Sequence, residues 1–74
     1  MEKQHIVDRL VQAFPGSRVV ANDMTGGGDH WQVTIEAKEF AGLSLVEQHQ
    51  AVYKALGDWM KGPIHALALT TRAT

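Results

Sequence analysis

The spacing of apolar residues changes three times along the chain, and these changes limit the folds it can adopt. Residues 2–14 have helical spacing, which predicts an amphipathic helix that ends at Pro15-Gly16. Residues 18–24 favour a short, weaker strand. Residues 30–37 alternate between apolar and polar side chains, which predicts a second strand, antiparallel to the first. Three consecutive glycines between the strands, Gly26 to Gly28, predict a flexible loop.

A second helix is predicted by the motif Ser44-Leu45-Val46-Glu47, in which Ser44 caps the first turn and Glu47 reaches back to the cap amide. The helix is expected to end near Met60, before Gly62-Pro63. Its apolar face is predicted to carry Leu45, His49, Val52, Leu56 and Trp59. Residues 64–71 favour a third strand. The order α-β-β-α-β predicts an α+β fold, with one three-stranded sheet backed on one face by helices.

The length of 74 residues predicts one domain over residues 1–74, because two separate cores do not fit in so short a chain. The chain has no cysteine, which excludes disulfides and metal or cluster sites built from its own thiolates. The N-terminus is polar and does not resemble a signal peptide, and no apolar run approaches the roughly 20 residues of a membrane span. We therefore expect a soluble, cytoplasmic protein.

The charge pattern does not favour a dedicated nucleic-acid binder. The formal net charge is −1, with seven basic and eight acidic side chains. Affinity for nucleic acid comes largely from neutralising several phosphates at once, and cations scattered along a chain form no obvious stripe for this purpose. The basic residues are Lys3, Arg9, Arg18, Lys38, Lys54, Lys61 and Arg72.

Four histidines are the main candidates for metal binding or proton transfer. His5 has no evident partner, and His49, on the apolar helix face, is interpreted as a buried, hydrogen-bonded structural residue. His30 follows the glycine loop and His65 is expected to open the last strand. Each is readily explained as structural when taken alone. Two histidines at strand ends beside one loop, however, can converge on a single site.

Catalytic and phosphate-binding motifs are not evident. A phosphate-cradling glycine loop requires a helix directly after the glycines, and here a strand follows. Ser17 is a turn residue and Ser44 a helix cap, so neither is a plausible nucleophile. The sequence therefore predicts a protein that docks on a partner and is not an enzyme.

Three segments together resemble the BolA family, in its order and at its spacing. They are Gly26-Gly27-Gly28-Asp29-His30-Trp31, residues 40–53 (FAGLSLVEQHQAVY) and His65-Ala66-Leu67-Ala68-Leu69. The resemblance implies a variant of the type II KH fold, which is also α-β-β-α-β. It further implies pairing with a monothiol glutaredoxin and a shared [2Fe-2S] cluster. Some bacterial members are DNA-binding transcriptional regulators that affect cell shape and stress responses, which is the alternative function.

The resemblance assigns His65 to the C-terminal ligand histidine of the family. The second family ligand, a Cys or His in the loop between the first two strands, aligns with Gly27. Either His30 or Asp29 substitutes for it, or His65 is the only ligand from this chain. The arginines that flank the family's helix histidine are Gln48 and Gln50 here, which disfavours phosphate contact. The expected partner-binding surface comprises Gly26, Gly27, Gly28, Asp29, Ala66 and Leu67.

A [2Fe-2S] cluster usually takes four ligands, mostly thiolates, so a partner would have to supply the sulfur donors. Protonated histidine cannot ligate a metal, and cluster binding is therefore expected to weaken as the pH falls. Without the partner, the chain is expected to be a monomer or a weak homodimer.

Overall fold

A computed structural model describes all 74 residues of the chain. The predicted order of elements is confirmed. A short 3₁₀ turn, Lys38–Phe40, follows the second strand, and another, Gly57–Lys61, follows the second helix. The helices are α1 (Lys3–Ala13) and α2 (Leu45–Leu56), and the strands are β1 (Arg18–Asp23), β2 (His30–Ala37) and β3 (Ala66–Ala73).

The three strands form one sheet with β2 in the centre. β1 pairs with β2 antiparallel, with Arg18 opposite Glu36 and Asp23 opposite Trp31. β3 pairs with β2 in parallel, with His30 opposite Ala66. A parallel partner requires a crossover connection, and α2 provides it. The predicted α+β class is therefore confirmed.

The hydrophobic core lies between the helices and one face of the sheet. Strict alternation in β2 places every second side chain on that face. The Phe14 and Phe40 rings close one end of the core with their centroids 5.2 Å apart. The buried residues are Ile6, Leu10, Phe14, Ala21, Trp31, Val33, Ile35, Ala37, Phe40, Val52, Leu56 and Ile64.

The predicted cap of α2 is confirmed, but its predicted end and apolar face are partly wrong. The Ser44 hydroxyl accepts from the Glu47 amide at 3.1 Å, and the Glu47 carboxylate accepts from the Ser44 amide at 2.8 Å. The helix ends at Leu56, because Gly57 adopts a φ of 55° that favours glycine. Leu45 is 60% exposed, since it lies in the first turn beyond the reach of the core.

The third strand begins two residues later than predicted. Ile64 is buried before the strand, and its amide donates to the Trp59 carbonyl at 2.8 Å, which closes the turn after α2. His65 therefore directly precedes β3. Trp59 packs half-buried against the core, and the Arg9 guanidinium lies 4.1 Å from the centre of its ring. Arg9 Nε also donates to the Ala55 carbonyl.

Neither helix has the length and apolar character that crossing a lipid bilayer would require.

A matched pair of valines tests the assignment of the core. Val33 is fully buried in β2, whereas Val20 in β1 is 49% exposed. We expect Val33→Ala to lower the free energy of unfolding by about 2 kcal/mol, since it removes two buried methyl groups and leaves a cavity. Val20→Ala should change it by less than about 0.5 kcal/mol. Urea denaturation followed by circular dichroism measures both. Equal losses would contradict the assignment.

Candidate functional site

Parallel pairing of β2 and β3 brings two histidines together at one end of the sheet. His30 opens β2 and His65 directly precedes β3, and both strands start at this end. The two imidazole rings are stacked, with centroids 5.7 Å apart and planes inclined by 17°. His65 is exposed and His30 half-buried. The convergence expected from the sequence is therefore present in the structure.

Asp29 holds both histidines through separate groups. Its backbone carbonyl accepts from the His65 amide at 2.7 Å and from the Ala66 amide at 3.2 Å. Its carboxylate lies 2.9 Å from His30 Nδ1. When Nδ1 carries the proton and donates to this carboxylate, Nε2 of His30 is left with a free lone pair, the arrangement common among metal-binding histidines.

The same contact lowers the pKa of Asp29, chiefly through the hydrogen bond from His30. A lowered carboxyl pKa stabilises the folded state above the usual aspartate range, and this contribution is lost as the pH falls through the lowered value. The Asp29 side chain is 44% exposed, so salt screens this contribution to stability. Because its pKa is lowered, the Asp29 carboxylate is charged near neutral pH.

The glycine loop between β1 and β2 is held by side-chain hydrogen bonds that the sequence analysis did not anticipate. The Asp23 carboxylate accepts three backbone amides, from Thr25 at 3.3 Å, Gly26 at 3.0 Å and Gly28 at 2.9 Å. At the end of the loop, the Trp31 indole donates to the Gly28 carbonyl at 3.2 Å. An aspartate at the end of a strand before glycines is a turn signal that could have predicted this role.

The three glycines differ in what they can accommodate. Gly26 and Gly28 have φ values of 80° and 74°, which disfavour other residues. A Cβ on Gly28 would also lie 2.7 Å from the Met1 carbonyl oxygen. Gly27 has no such φ, and a Cβ there would meet only side-chain atoms, nearest the Asp29 carboxylate at 3.1 Å. Gly27, which aligns with the second ligand position of the family, is thus the loop glycine whose backbone accepts a side chain.

The remaining histidines lie outside this site. His49 is expected from the sequence to be a buried, hydrogen-bonded residue, but it is only half-buried and its Nε2 is enclosed without a hydrogen-bond partner. It lies beside the core on α2, where no polar group meets that nitrogen. His5 does have a partner, since its Nδ1 accepts from the Glu2 amide at 3.5 Å.

The neighbouring glutamine Gln48 has a structural role that the sequence did not reveal. The side-chain amide nitrogen of Gln48 donates to the Leu43 carbonyl at 3.1 Å, and the side-chain oxygen accepts from the Thr71 hydroxyl at 2.7 Å. Gln48 thereby ties the start of α2 to β3. Gln50 is exposed on the same helix.

The site offers imidazole nitrogen to a metal but not a complete set of ligands. The ring of His65 makes no hydrogen bond within the chain, so either of its nitrogens can carry the free lone pair, whereas His30 has one nitrogen engaged by Asp29. No group of three or more His, Cys, Asp or Glu side chains is arranged to hold a metal ion. The donors present fit part of a shared metal centre, since mixed imidazole and thiolate ligation of [2Fe-2S] clusters is chemically established.

The residues expected to contact a partner lie in the loop that precedes His30 and at the start of the strand that follows His65. Gly26 and Gly27 are exposed in the loop, and Gly28 and Asp29 are half-buried where it joins β2. Ala66 is exposed and Leu67 half-buried at the start of β3. Their role in binding remains a prediction.

Comparison with known proteins gives a consistent result. A family model described as BolA-like protein matches residues 7–74. A solved structure of a bolA protein homologue from Coxiella burnetii superposes with a TM-score of 0.83 at 30% identity, covering 99% of this chain and 91% of that one.

Two curated relatives match over different lengths. BolA-like protein 3 of Saccharomyces cerevisiae is 37% identical, over 96% of this chain and 60% of its own length. The DNA-binding transcriptional regulator BolA of Vibrio cholerae is 41% identical, over 66% of this chain and 46% of its own length. The chain thus spans between two fifths and two thirds of these relatives.

The loop organisation is testable through Asp23. We expect Asp23→Ala to speed amide hydrogen exchange at Gly26 and Gly28, because both amides lose their acceptor, while exchange in β2 is unchanged. Asp8→Ala is the matched control, since Asp8 is also exposed and accepts only from the Gln4 side chain. Hydrogen exchange followed by NMR measures each amide. Unchanged exchange at both glycines would show that Asp23 does not order the loop.

Proposed function

The chain belongs to the BolA family, and from this premise we propose that it is an adaptor without enzymatic activity. It docks on a monothiol glutaredoxin and shares a [2Fe-2S] cluster with it, in iron–sulfur cluster assembly or trafficking or in iron regulation. The observation that supports the proposal most directly is the convergence of His30 and His65 in a chain that has no cysteine.

The chemistry of the donors supports a division of labour between two proteins. Thiolates are the usual ligands of [2Fe-2S] clusters, and this chain can contribute none. The partner would therefore supply the sulfur ligands and this chain the nitrogen. A cluster in which histidine replaces thiolate has a higher reduction potential, which suits transfer or sensing better than storage.

Among the nitrogen donors, His65 is assigned as the ligand. Its ring is exposed and free of internal hydrogen bonds, and its backbone position is set by the 2.7 Å bond to Asp29. His30, held by the Asp29 carboxylate, is the second candidate through Nε2. Asp29 itself is better suited to orienting the two histidines than to ligation, because its carboxylate is already engaged. The exposed glycine loop and the start of β3 form the adjoining docking surface.

Removal of the imidazole tests this assignment. The parent chain, mixed anaerobically with a glutaredoxin carrying a [2Fe-2S] cluster, should change the visible absorption and circular dichroism of the cluster. His65→Ala should abolish most of this change, because the nitrogen ligand is lost. His5→Ala is the matched control, since His5 is an exposed histidine on α1. Anaerobic pull-down with iron and sulfide analysis reports complex formation separately.

An identical spectrum for His65→Ala and the parent would refute the ligand assignment. If the parent neither captures the glutaredoxin nor alters the spectrum, the adaptor function itself is wrong.

The name of the Vibrio cholerae relative favours a second candidate, DNA-binding transcriptional regulation. The charge distribution argues against it. Arg72 is paired with Glu36, Arg18 lies opposite the same glutamate across the β1–β2 ladder, and Arg9 is engaged by Trp59. The Glu36 carboxylate offsets the charge of Arg72 and lies near Arg18, and the Trp59 ring holds the Arg9 guanidinium against the protein, so few cations are free to contact phosphates.

We therefore expect no saturable binding to a labelled DNA duplex at about 0.15 M salt, measured by fluorescence anisotropy, because phosphate contacts are few. Binding seen only at low salt would be non-specific. Saturable binding that persists at the higher concentration would make the regulator the better account.

A further inference from the structure

The outer edge of β3 is an unpaired strand edge. In the order β1-β2-β3, β3 has a neighbour only on one side. The Ala66 amide donates to the Asp29 carbonyl and the Thr74 amide to the Ala37 carbonyl. Even-numbered residues of β3 thus bond to β2, and the odd-numbered ones direct both backbone groups away from it. We call Leu67, Leu69 and Thr71 the β3 edge.

The β3 edge lacks the features that usually prevent strands from associating. β3 contains no proline or glycine, and its only charged residue is Arg72. That guanidinium is already paired with Glu36. Natural edge strands are normally protected by charges, prolines, bulges or short length. The opposite edge, β1, is shorter and carries Arg18 and Asp23 at its two ends.

We propose that the β3 edge binds a second copy of this chain, forming a continuous six-stranded sheet across a two-fold axis. In antiparallel self-pairing with Leu69 opposite Leu69, Leu67 lies opposite Thr71 of the other copy. The three residues of the β3 edge then exchange backbone hydrogen bonds, about six in all, and the fourth odd-numbered residue, Ala73, lies beyond them at the end of the strand. The proposal does not rest on the cluster-sharing function.

Side-chain chemistry favours a copy of the same strand as the occupant. Leu67 and Leu69 are only half-buried on the helix side, and pairing covers them with the equivalent leucines. On the open side, the small residues Ala68 and Thr70 face each other without steric conflict. The two Arg72 side chains lie at opposite ends of the ladder, about 20 Å apart, which exceeds the screening length at physiological salt.

The interface of one strand pair is small, so the dimer is weak and the experiment runs at concentrations up to about 1 mM. Amide exchange of this chain is followed by NMR as the concentration rises. Exchange at Leu67, Leu69 and Thr71 should slow by about twofold or more, whereas exchange at Ala68 and Thr70, which already bond to β2, should not change. Sedimentation equilibrium should show dimer over the same range.

A proline at the centre of the β3 edge distinguishes the effect of pairing between two copies from the effect of side-chain packing. Leu69→Pro removes an amide that has no partner within the monomer, so the β2–β3 ladder keeps its bonds while pairing is blocked. Leu69→Ala loses the same side chain but keeps the amide. We expect Leu69→Pro to abolish the concentration dependence and Leu69→Ala to retain it.

A second variant covers the case in which the proline variant does not fold. Thr70→Lys places two like charges about 8 Å apart across the axis and should weaken the dimer, whereas Val20→Lys on β1 should not. A chain that stays monomeric at about 1 mM would overturn the proposal and leave the edge to a strand of another protein. Protection that maps to β1, or dimerisation of Leu69→Pro equal to that of Leu69→Ala, would also overturn it.

Discussion

Parallel pairing of β2 with β3 is the constraint on which the rest of the structure depends. The register that sets His30 opposite Ala66 also places His65 beside the first strand residue. A shift by one residue would turn the apolar side chains of β3 to the opposite face and separate the two rings. Because Leu67 and Leu69 of β3 pack against the core only in this register, the core determines the geometry of the site.

The site is largely assembled before any partner arrives. Asp29 fixes the backbone of His65 and the ring of His30, and Asp23 holds the glycine loop through three amides. Ordering such groups on binding would otherwise cost conformational entropy, so a preformed surface favours association. In this small domain, backbone groups and the carboxylates of Asp23 and Asp29 hold the loop and the two histidines in place.

Most of the architecture could be predicted from the sequence because the strongest signals are local. Alternation in β2 and the capping motif at Ser44 gave the correct element types and nearly correct boundaries. The errors arose where tertiary contacts determine the boundary of a helix or strand. Gly57 ended α2 early through its positive φ, and Ile64 was drawn into the core ahead of β3.

The candidate site was only partly predictable for the same reason. His30 and His65 could be identified as strand-end residues, but their stacking depends on a long-range pairing, in which His30 lies opposite Ala66, 36 residues later in the sequence. The roles of Asp23 and Gln48 rest on side chains reaching particular backbone groups. The unpartnered nitrogen of His49 has no sequence signal at all.

The central claim is that an imidazole of this chain ligates iron whose sulfur ligands belong to another protein. The most direct test labels the histidines of this chain with ¹⁵N, forms the complex with cluster-loaded glutaredoxin and reduces it for pulsed electron paramagnetic resonance. The account predicts a ¹⁵N hyperfine coupling that disappears in His65→Ala and persists in His5→Ala. A reduced cluster in the intact complex with no nitrogen coupling from this chain would contradict it.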